Sequence, residues 1–310
     1  MNKQQILEDM FGNNVRKDVS KRIKTIYEWC TLEHSLFYTL LFDKTPEKTF
    51  EYGKMFRTYL VNLARSAAGL WIGVNDISVK LPEVVELIHQ STLPIDDIQD
   101  NSEMRCWRQA LWKIVGKDEA TLTGFLLMWS WVTQYANILW EDKDGILYNY
   151  SDFLQKTLTN LICWQLLDLK ANETWKTIED YFKIVDGKTW ALINLALHFW
   201  TMPYEWLYTK EKSEMLTKFS MSFARLYQIK DDIDDIRKWK KLDPSNIYYY
   251  ADIAKYPENL GKIYLKLHDE LKEAHDKLLK LWVLKENYLI DLANVLLPKE
   301  EFELPKSDIK

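Results

Sequence analysis

Asp96-Asp97-Ile98-Gln99-Asp100 and Asp231-Asp232-Ile233-Asp234-Asp235 are the two stretches on which the reading of this chain turns. Both carry D-D-x-x-D within a run of helical periodicity. On a helix, positions i and i+4 share a face, so Asp96 stands over Asp100 and Asp231 over Asp235. Like charges on one face repel unless something offsets them. A hard divalent cation does so, because Mg²⁺ prefers carboxylate and phosphate oxygens. Apolar residues precede each cluster: Leu93 and Ile95 in one, Leu226 and Ile229 in the other. A buried approach ending in an acidic tip is the pattern expected at a pocket mouth. One such cluster reads as a solvated patch; two with identical spacing read as a metal-dependent site.

The rest of the chain suits a helical setting. Its 310 residues include only 9 glycines and 8 prolines, where average usage would give roughly 22 glycines. Few breakers argue for long helices and against a β-rich fold. Periodicity predicts helices at about 3–10, 16–42, 46–72, 81–105, 118–141, 150–169, 174–201, 210–240, 257–282 and 284–296. Pro82 suits a first helical turn, and Pro94 is expected to kink the helix of the first cluster or free a carbonyl. The apolar window from Phe125 to Trp140 is shorter than the ~20 residues of a membrane span and reads as a buried helix. The lysine-rich run from Lys262 to Trp282 is amphipathic and reads as a packed helix with a solvated face. No stretch resembles an interdomain linker, so residues 1–310 are expected to form one domain.

A formal net charge of −5 with interleaved signs gives no clustered basic face for nucleic acid. An anionic ligand must then be held by local cations or metal. Cys30, Cys106 and Cys163 are an odd set without metal-type spacing, which suits a reducing compartment. The opening Met1-Asn2-Lys3-Gln4-Gln5 has no apolar core of a secretory signal, so a cytoplasmic address is expected.

Leu87-Ile88-His89-Gln90-Ser91-Thr92-Leu93-Pro94-Ile95-Asp96-Asp97-Ile98-Gln99-Asp100-Asn101-Ser102 resembles the first aspartate-rich motif of the trans-isoprenyl diphosphate synthases, especially animal and fungal geranylgeranyl diphosphate synthases. Tyr227-Gln228-Ile229-Lys230 leading into Asp231-Asp232-Ile233-Asp234-Asp235 resembles the second. Gly53-Lys54-Met55-Phe56-Arg57 resembles G-K-x-x-R, Gln165-Leu166-Leu167-Asp168 resembles Q-x-x-D, and Lys188-Thr189 resembles the K-T pair. The five landmarks stand in family order.

The resemblance implies an all-α fold: a helical bundle of the isoprenoid synthase type with two facing Asp-rich helices, acting as a homodimer. It implies that Asp96, Asp97, Asp100, Asp231, Asp232 and Asp235 hold Mg²⁺ ions that grip an allylic diphosphate. Catalysis would centre on Asp96, Asp97, Lys188 and Asp231. Arg105, Lys188, Thr189 and Gln228 would support that diphosphate, and Lys54, Arg57 and His89 would bind isopentenyl diphosphate. Arginine suits bidentate phosphate contact, while lysine supplies a point charge.

The chain also departs from the family. The usual second arginine after the first motif is Cys106, and glycines of the pattern are Trp107, Trp164 and Trp190. The basic G-K element after the second motif is replaced by Arg237-Lys238-Trp239-Lys240. These changes keep the metal carboxylates and damage part of the second-diphosphate site. Aromatic faces stabilise a cation by ~0.5–2 kcal/mol each, so Trp71, Trp107, Trp129, Trp164, Trp190, Phe199 and Trp200 are candidates for a wall around a carbocation. The leading expectation is therefore a terpene synthase, a diphosphate lyase. The alternatives are a prenyltransferase that adds isopentenyl diphosphate to an allylic partner, and a non-catalytic regulatory subunit. Chain length stays open: Ser91 and Thr92, just before the first motif, are small and permit a deep pocket, while the tryptophans would close it.

Overall fold

The computed structural model describes residues 56–70, 81–105, 108–141, 151–171, 177–201, 209–237, 246–250, 253 and 257–297. The helices expected at 3–10 and 16–42, Lys54, Trp71, Cys106 and Trp107 lie outside them. The described residues are almost wholly helical, apart from one pair of two-residue strands. They belong to two compact units: one holds 56–62 and 81–141, the other 63–70 and 151–297. Helix α1 (Phe56–Ala67) passes from one to the other.

In the first unit, α2 (Leu81–Gln99) carries the first aspartate motif. Strands β1 (Met104–Arg105) and β2 (Arg108–Gln109) follow, then α3 (Leu111–Val115) and α4 (Lys117–Glu141). Leu81, Val84, Val85, Leu87 and Ile88 give α2 its buried positions. It packs on α4, and Gly124 permits the approach: a Cβ there would sit 3.0 Å from the Ser91 carbonyl oxygen and 3.1–3.2 Å from Ile95. The helix runs on through Pro94 to Gln99.

Two expectations are corrected here. The helix predicted over 81–105 stops at Gln99, because Asn101 takes a left-handed conformation (φ 51°) and the Ser102 N–H closes back on the Asp97 carbonyl at 2.9 Å. This is the reverse turn that asparagine tolerates at a helix end. The window from Phe125 is not a buried helix either. Leu122, Phe125, Trp129 and Val132 are 66%, 53%, 69% and 38% exposed, forming an apolar stripe along α4. Among the described residues no helix is long and apolar enough to cross a membrane.

The second unit contains α5 (Ser151–Ala171), α6 (Ile178–Val185), a π-helical turn (Asp186–Trp190), α7 (Ala191–Phe199) and α8 (Lys210–Arg237). A 3₁₀ turn (Ile247–Tyr249), α9 (Pro257–Lys280) and α10 (Tyr288–Leu296) complete it. α6 starts at a reciprocal cap, in which the Thr177 hydroxyl accepts the Asp180 N–H and the Asp180 carboxylate accepts the Thr177 N–H. α7 is buried at all nine positions. α9 lays Leu260, Tyr264, Leu267, Leu271, Ala274 and Leu278 inward at helical spacing and packs on α8. Each such leucine contributes about 1.5–3 kcal/mol. The helix expected over 174–201 is thus three pieces, and the π turn falls on Lys188-Thr189.

Candidate active site

In the first unit the turn after α2 decides what the motif presents. Asn101 reverses the chain, and β1 pairs antiparallel with β2, Arg105 opposite Arg108. Arg105 is thereby carried back over the helix end. Its Nε donates to both Asp97 oxygens at 2.8 and 2.9 Å, and its Nη2 lies 2.7 Å from Oδ1. Asp97 is buried, Asp96 half-buried and Asp100 exposed. Asp97, expected among the metal ligands, therefore commits both oxygens to a guanidinium. Asp96 and Asp100 occupy the more open face.

Upstream on α2, Glu86 is buried and raised above the usual carboxylate range by that burial, against the pull of Gln90, Arg57 and Thr58. The Gln90 amide donates to Glu86 at 2.7 Å, and the Thr58 hydroxyl lies within reach of Glu86 and the Pro82 carbonyl. His89 is held well below its ordinary value by burial, then by the Arg57 and Arg105 cations, so its ring is neutral. Arg57 and His89, expected to bind a second diphosphate, thus share one electrostatic neighbourhood. Ser91 is buried and donates to the Ile88 carbonyl at 2.7 Å.

In the second unit the π turn carries Lys188 and Thr189, both half-exposed. Arg225 braces its first residue with two hydrogen bonds to Asp186, 2.8 and 2.6 Å, and lies 4.7 Å from the Phe182 ring centroid. Gly187 is required: a Cβ there would collide with the Trp164 ring. The tryptophan at a glycine position of the family pattern therefore packs on the turn beside Lys188. Turns of this type concentrate at functional sites.

The second motif lies near the end of α8. The Thr189 hydroxyl donates to Gln228 Oε1 at 2.8 Å, and Gln228 Nε2 donates to Asp232 Oδ1 at 2.9 Å. Asp232 Oδ2 accepts the Tyr181 hydroxyl at 2.9 Å and the Ile247 N–H at 2.8 Å. Burial pushes Asp232 up to about 7 against those bonds, and burial also raises Tyr181 well above its usual value. Asp231 is exposed and Asp235 half-exposed. Gln228, expected to support a diphosphate, has both ends of its amide engaged.

Tyr181, Asn246, Glu86, Arg225 and Asp186 carry no motif, and sequence reasoning missed them. Each matters through a partner distant in sequence. Of the seven aromatic candidates, Trp129 is exposed, Trp164 covers Gly187, Trp190 donates to Ser220 at 2.8 Å, and Phe199 and Trp200 are fully buried.

Among the described residues no three His, Cys, Asp or Glu side chains form a ready-made metal cage. Mg²⁺ does not need one. It is commonly held by one or two carboxylates together with substrate phosphates, and each motif carries two carboxylates on its less buried face, Asp96 and Asp100 in the first unit and Asp231 and Asp235 in the second.

The fold is the all-α one of isoprenoid synthases. It is similar to the structure of a geranyltransferase from Legionella pneumophila, with TM-score 0.71, 18% identity and coverage of 95% of this chain and 97% of that one. Residues 41–242 match the polyprenyl synthetase family, and the chain belongs to that family. Geranylgeranyl pyrophosphate synthase 2 from Gibberella fujikuroi is 25% identical over 244 residues, covering 74% of this chain and 60% of that protein. Sesterfisherol synthase from Neosartorya fischeri is 30% identical over 178 residues, covering 55% and 21%. The chain thus spans less than two thirds of the length of these curated relatives.

Proposed function

We propose that this chain is a Mg²⁺-dependent prenyltransferase that condenses isopentenyl diphosphate with an allylic diphosphate. The observation that carries the reading is the family match over 41–242, which contains all five landmarks. Asp96, Asp100, Asp231 and Asp235 are the proposed metal ligands. Bound Mg²⁺ would withdraw charge from the departing diphosphate. Lys188 would add a point charge to that diphosphate, and Thr189 would orient through Gln228. Arg57, Lys54 and the neutral His89 would hold the second substrate. Arg105, locked on Asp97, presents its remaining N–H groups from a fixed position.

The diphosphate lyase, the leading expectation from the sequence, is the second reading. Two observations favour it: the similarity to sesterfisherol synthase, and Trp164 standing where the family pattern has glycine. That similarity spans 21% of the fungal protein, so its name attaches to no particular part of the match. The family match is broader and supports the transferase more strongly.

Purified protein with Mg²⁺ is incubated with geranyl, farnesyl or geranylgeranyl diphosphate, each with and without isopentenyl diphosphate. Mass spectrometry reads volatiles and longer diphosphates. Elongation that needs isopentenyl diphosphate supports the transferase; a hydrocarbon or alcohol from the allylic substrate alone supports the lyase and sinks our first choice. If neither product forms, and Asp96→Ala and Asp231→Ala leave the stimulation of a partner synthase intact, the regulatory subunit takes over.

The proposal includes a cytoplasmic homodimer built from one domain, residues 1–310. The exposed stripe Leu122, Phe125, Trp129 and Val132 on α4 supports the dimer, since contiguous apolar surface of this kind marks interaction sites. Light scattering of Trp129→Lys should give a monomer if that stripe is the interface.

A further inference from the structure

The carboxylate of Asp232 takes donors on both oxygens, and none of them is a cation. Tyr181 and the Ile247 N–H converge on Oδ2, while Gln228 approaches Oδ1. The residue is 7% exposed. Its backbone is engaged as well, since the Asn246 amide donates to the Asp232 carbonyl at 3.2 Å. Asn246 in turn accepts the Tyr248 N–H at 3.0 Å, which starts the 3₁₀ turn. The Tyr181 ring meets Tyr250 edge-on at 5.3 Å. In its ionised form Asp232 only accepts, so it fixes which end of the Gln228 amide faces it. That leaves Oε1 for the Thr189 hydroxyl, 2.8 Å away.

We propose that Asp232 is a positioning residue: the acceptor at the centre of a junction that ties the Lys188–Thr189 turn and the Asn246–Tyr250 turn to α8, leaving metal to the other aspartates of its motif. The junction stands on these contacts alone. Its bearing on metal and diphosphate rests on the prenyl diphosphate reading above.

The geometry prescribes a polarity swap. Asp232→Asn puts an amide where a donor already points, so the contact with Gln228 or with Tyr181 and Ile247 is lost. Adding Gln228→Glu restores the pairing: the introduced amide donates to the introduced carboxylate, which also accepts from Thr189, and the net charge is unchanged. Tyr181→Phe removes one hydroxyl and keeps the ring.

The test uses the full chain. Hydrogen exchange is measured over 186–190 and 246–250 for wild type, Tyr181→Phe, Asp232→Asn and the double variant. Calorimetry measures binding of inorganic pyrophosphate with Mg²⁺ for the same set and Asp231→Asn. Losing a hydrogen bond to a charged group should speed exchange in both segments by roughly 10-fold in each single variant. The double variant should return exchange to within about 3-fold of wild type, while Tyr181→Phe weakens pyrophosphate binding less than Asp231→Asn does. Unchanged exchange in Tyr181→Phe overturns the junction, and so does a double variant that does not recover. Unchanged exchange in Asp232→Asn with pyrophosphate binding lost as fully as in Asp231→Asn makes Asp232 a metal ligand and overturns the assignment. If wild type itself binds no pyrophosphate with Mg²⁺, the prenyl diphosphate reading fails, and the exchange measurements alone decide the junction.

Discussion

The two aspartate motifs share a sequence pattern and solve the same problem by different means. In each, the second aspartate is buried, Asp97 3% exposed and Asp232 7%, while the first and last stand on the more open face. Asp97 is neutralised by a cation reaching back from eight residues downstream. Asp232 is held by a phenol, an amide and a backbone N–H from three separate elements. An ion pair is local and survives small shifts of its neighbours. A neutral junction needs all its donors in register, so the second motif depends on tertiary structure in a way the first does not. D-D-x-x-D therefore does not say which carboxylates are available to a metal. The i and i+4 positions share a face, while i+1 lies about 100° round the helix and here turns inward.

The largest expected effect breaks what the motifs have in common. Asp96→Asn and Asp231→Asn should each lower kcat by roughly 10²–10³-fold, the scale of losing a group that stabilises developing charge. Steady-state kinetics at saturating Mg²⁺ check this. If only one of the two falls so far, the motifs are not equivalent partners in one reaction.

Histidines sharpen the contrast between charge and burial. His89 in the first region is lowered by burial and by two arginines. His198 in the second is lowered to about 4 by burial alone, its Nε2 3.3 Å from Thr217 and its ring 5.2 Å from Phe153. The unfolded chain takes up a proton at His198 as pH falls through ~6.5, while the folded chain does so only near 4. Stability from this site is thus complete above ~6.5 and declines toward pH 4, by about 3 kcal/mol. Urea denaturation between pH 7 and 4 should show that slope, and His198→Gln should flatten it. Molar salt should raise the His89 titration seen by NMR and leave His198 in place; equal responses would remove the distinction.

Breaking the ion pair itself is the next step down. Arg105→Met leaves Asp97 buried without its cation. Loss of a fully buried pair costs about 3–5 kcal/mol, but Arg105 is 38% exposed, so about 2 kcal/mol is expected. Tyr181→Phe, which leaves two of three donors on Asp232, should cost about 1 kcal/mol. Chemical denaturation ranks them, and a reversed order would make the neutral junction the stronger anchor.

Much of this was legible in the sequence. Helix type followed from periodicity and the scarcity of glycine and proline, and both motifs fell on helices as expected. What stayed hidden depends on partners far apart in the chain. Tyr181 lies 51 residues from Asp232, and nothing local to either announces the other. The reversal at Asn101 was missed because Gln99 to Arg105 carries no glycine or proline to mark a stop, and asparagine takes the left-handed turn at a helix end without one. The π turn is invisible for a similar reason: one extra residue in a loop of the helix leaves the hydrophobic pattern nearly intact. The exposed stripe on α4 read as core because composition reports that residues are apolar and says nothing of what covers them.

The last comparison sets two glycines against each other, one in each region, and the smallest effect of all belongs to one of them. Replacing glycine by alanine inside a helix gains about 1 kcal/mol of propensity, so the sign depends on what the new methyl meets. At Gly187 it meets the Trp164 ring in a turn held by Arg225 and Asp186. Overpacking of that kind costs about 1–3 kcal/mol, and the collision is severe enough for the upper end. Gly187→Ala should therefore destabilise by about 2 kcal/mol, with Trp164→Ala in the same chain recovering most of it. At Gly124 the methyl meets Ile95, whose side chain can shift, and the Ser91 carbonyl at 3.0 Å, which moves only with α2. An adjustment of a few tenths of an ångström costs about 1 kcal/mol and nearly cancels the gain. Gly124→Ala should fall within about 0.5 kcal/mol of wild type in thermal denaturation. A loss as large as that at Gly187 would mean that α2 cannot yield where it carries the first motif, and that the first region is the stiffer of the two.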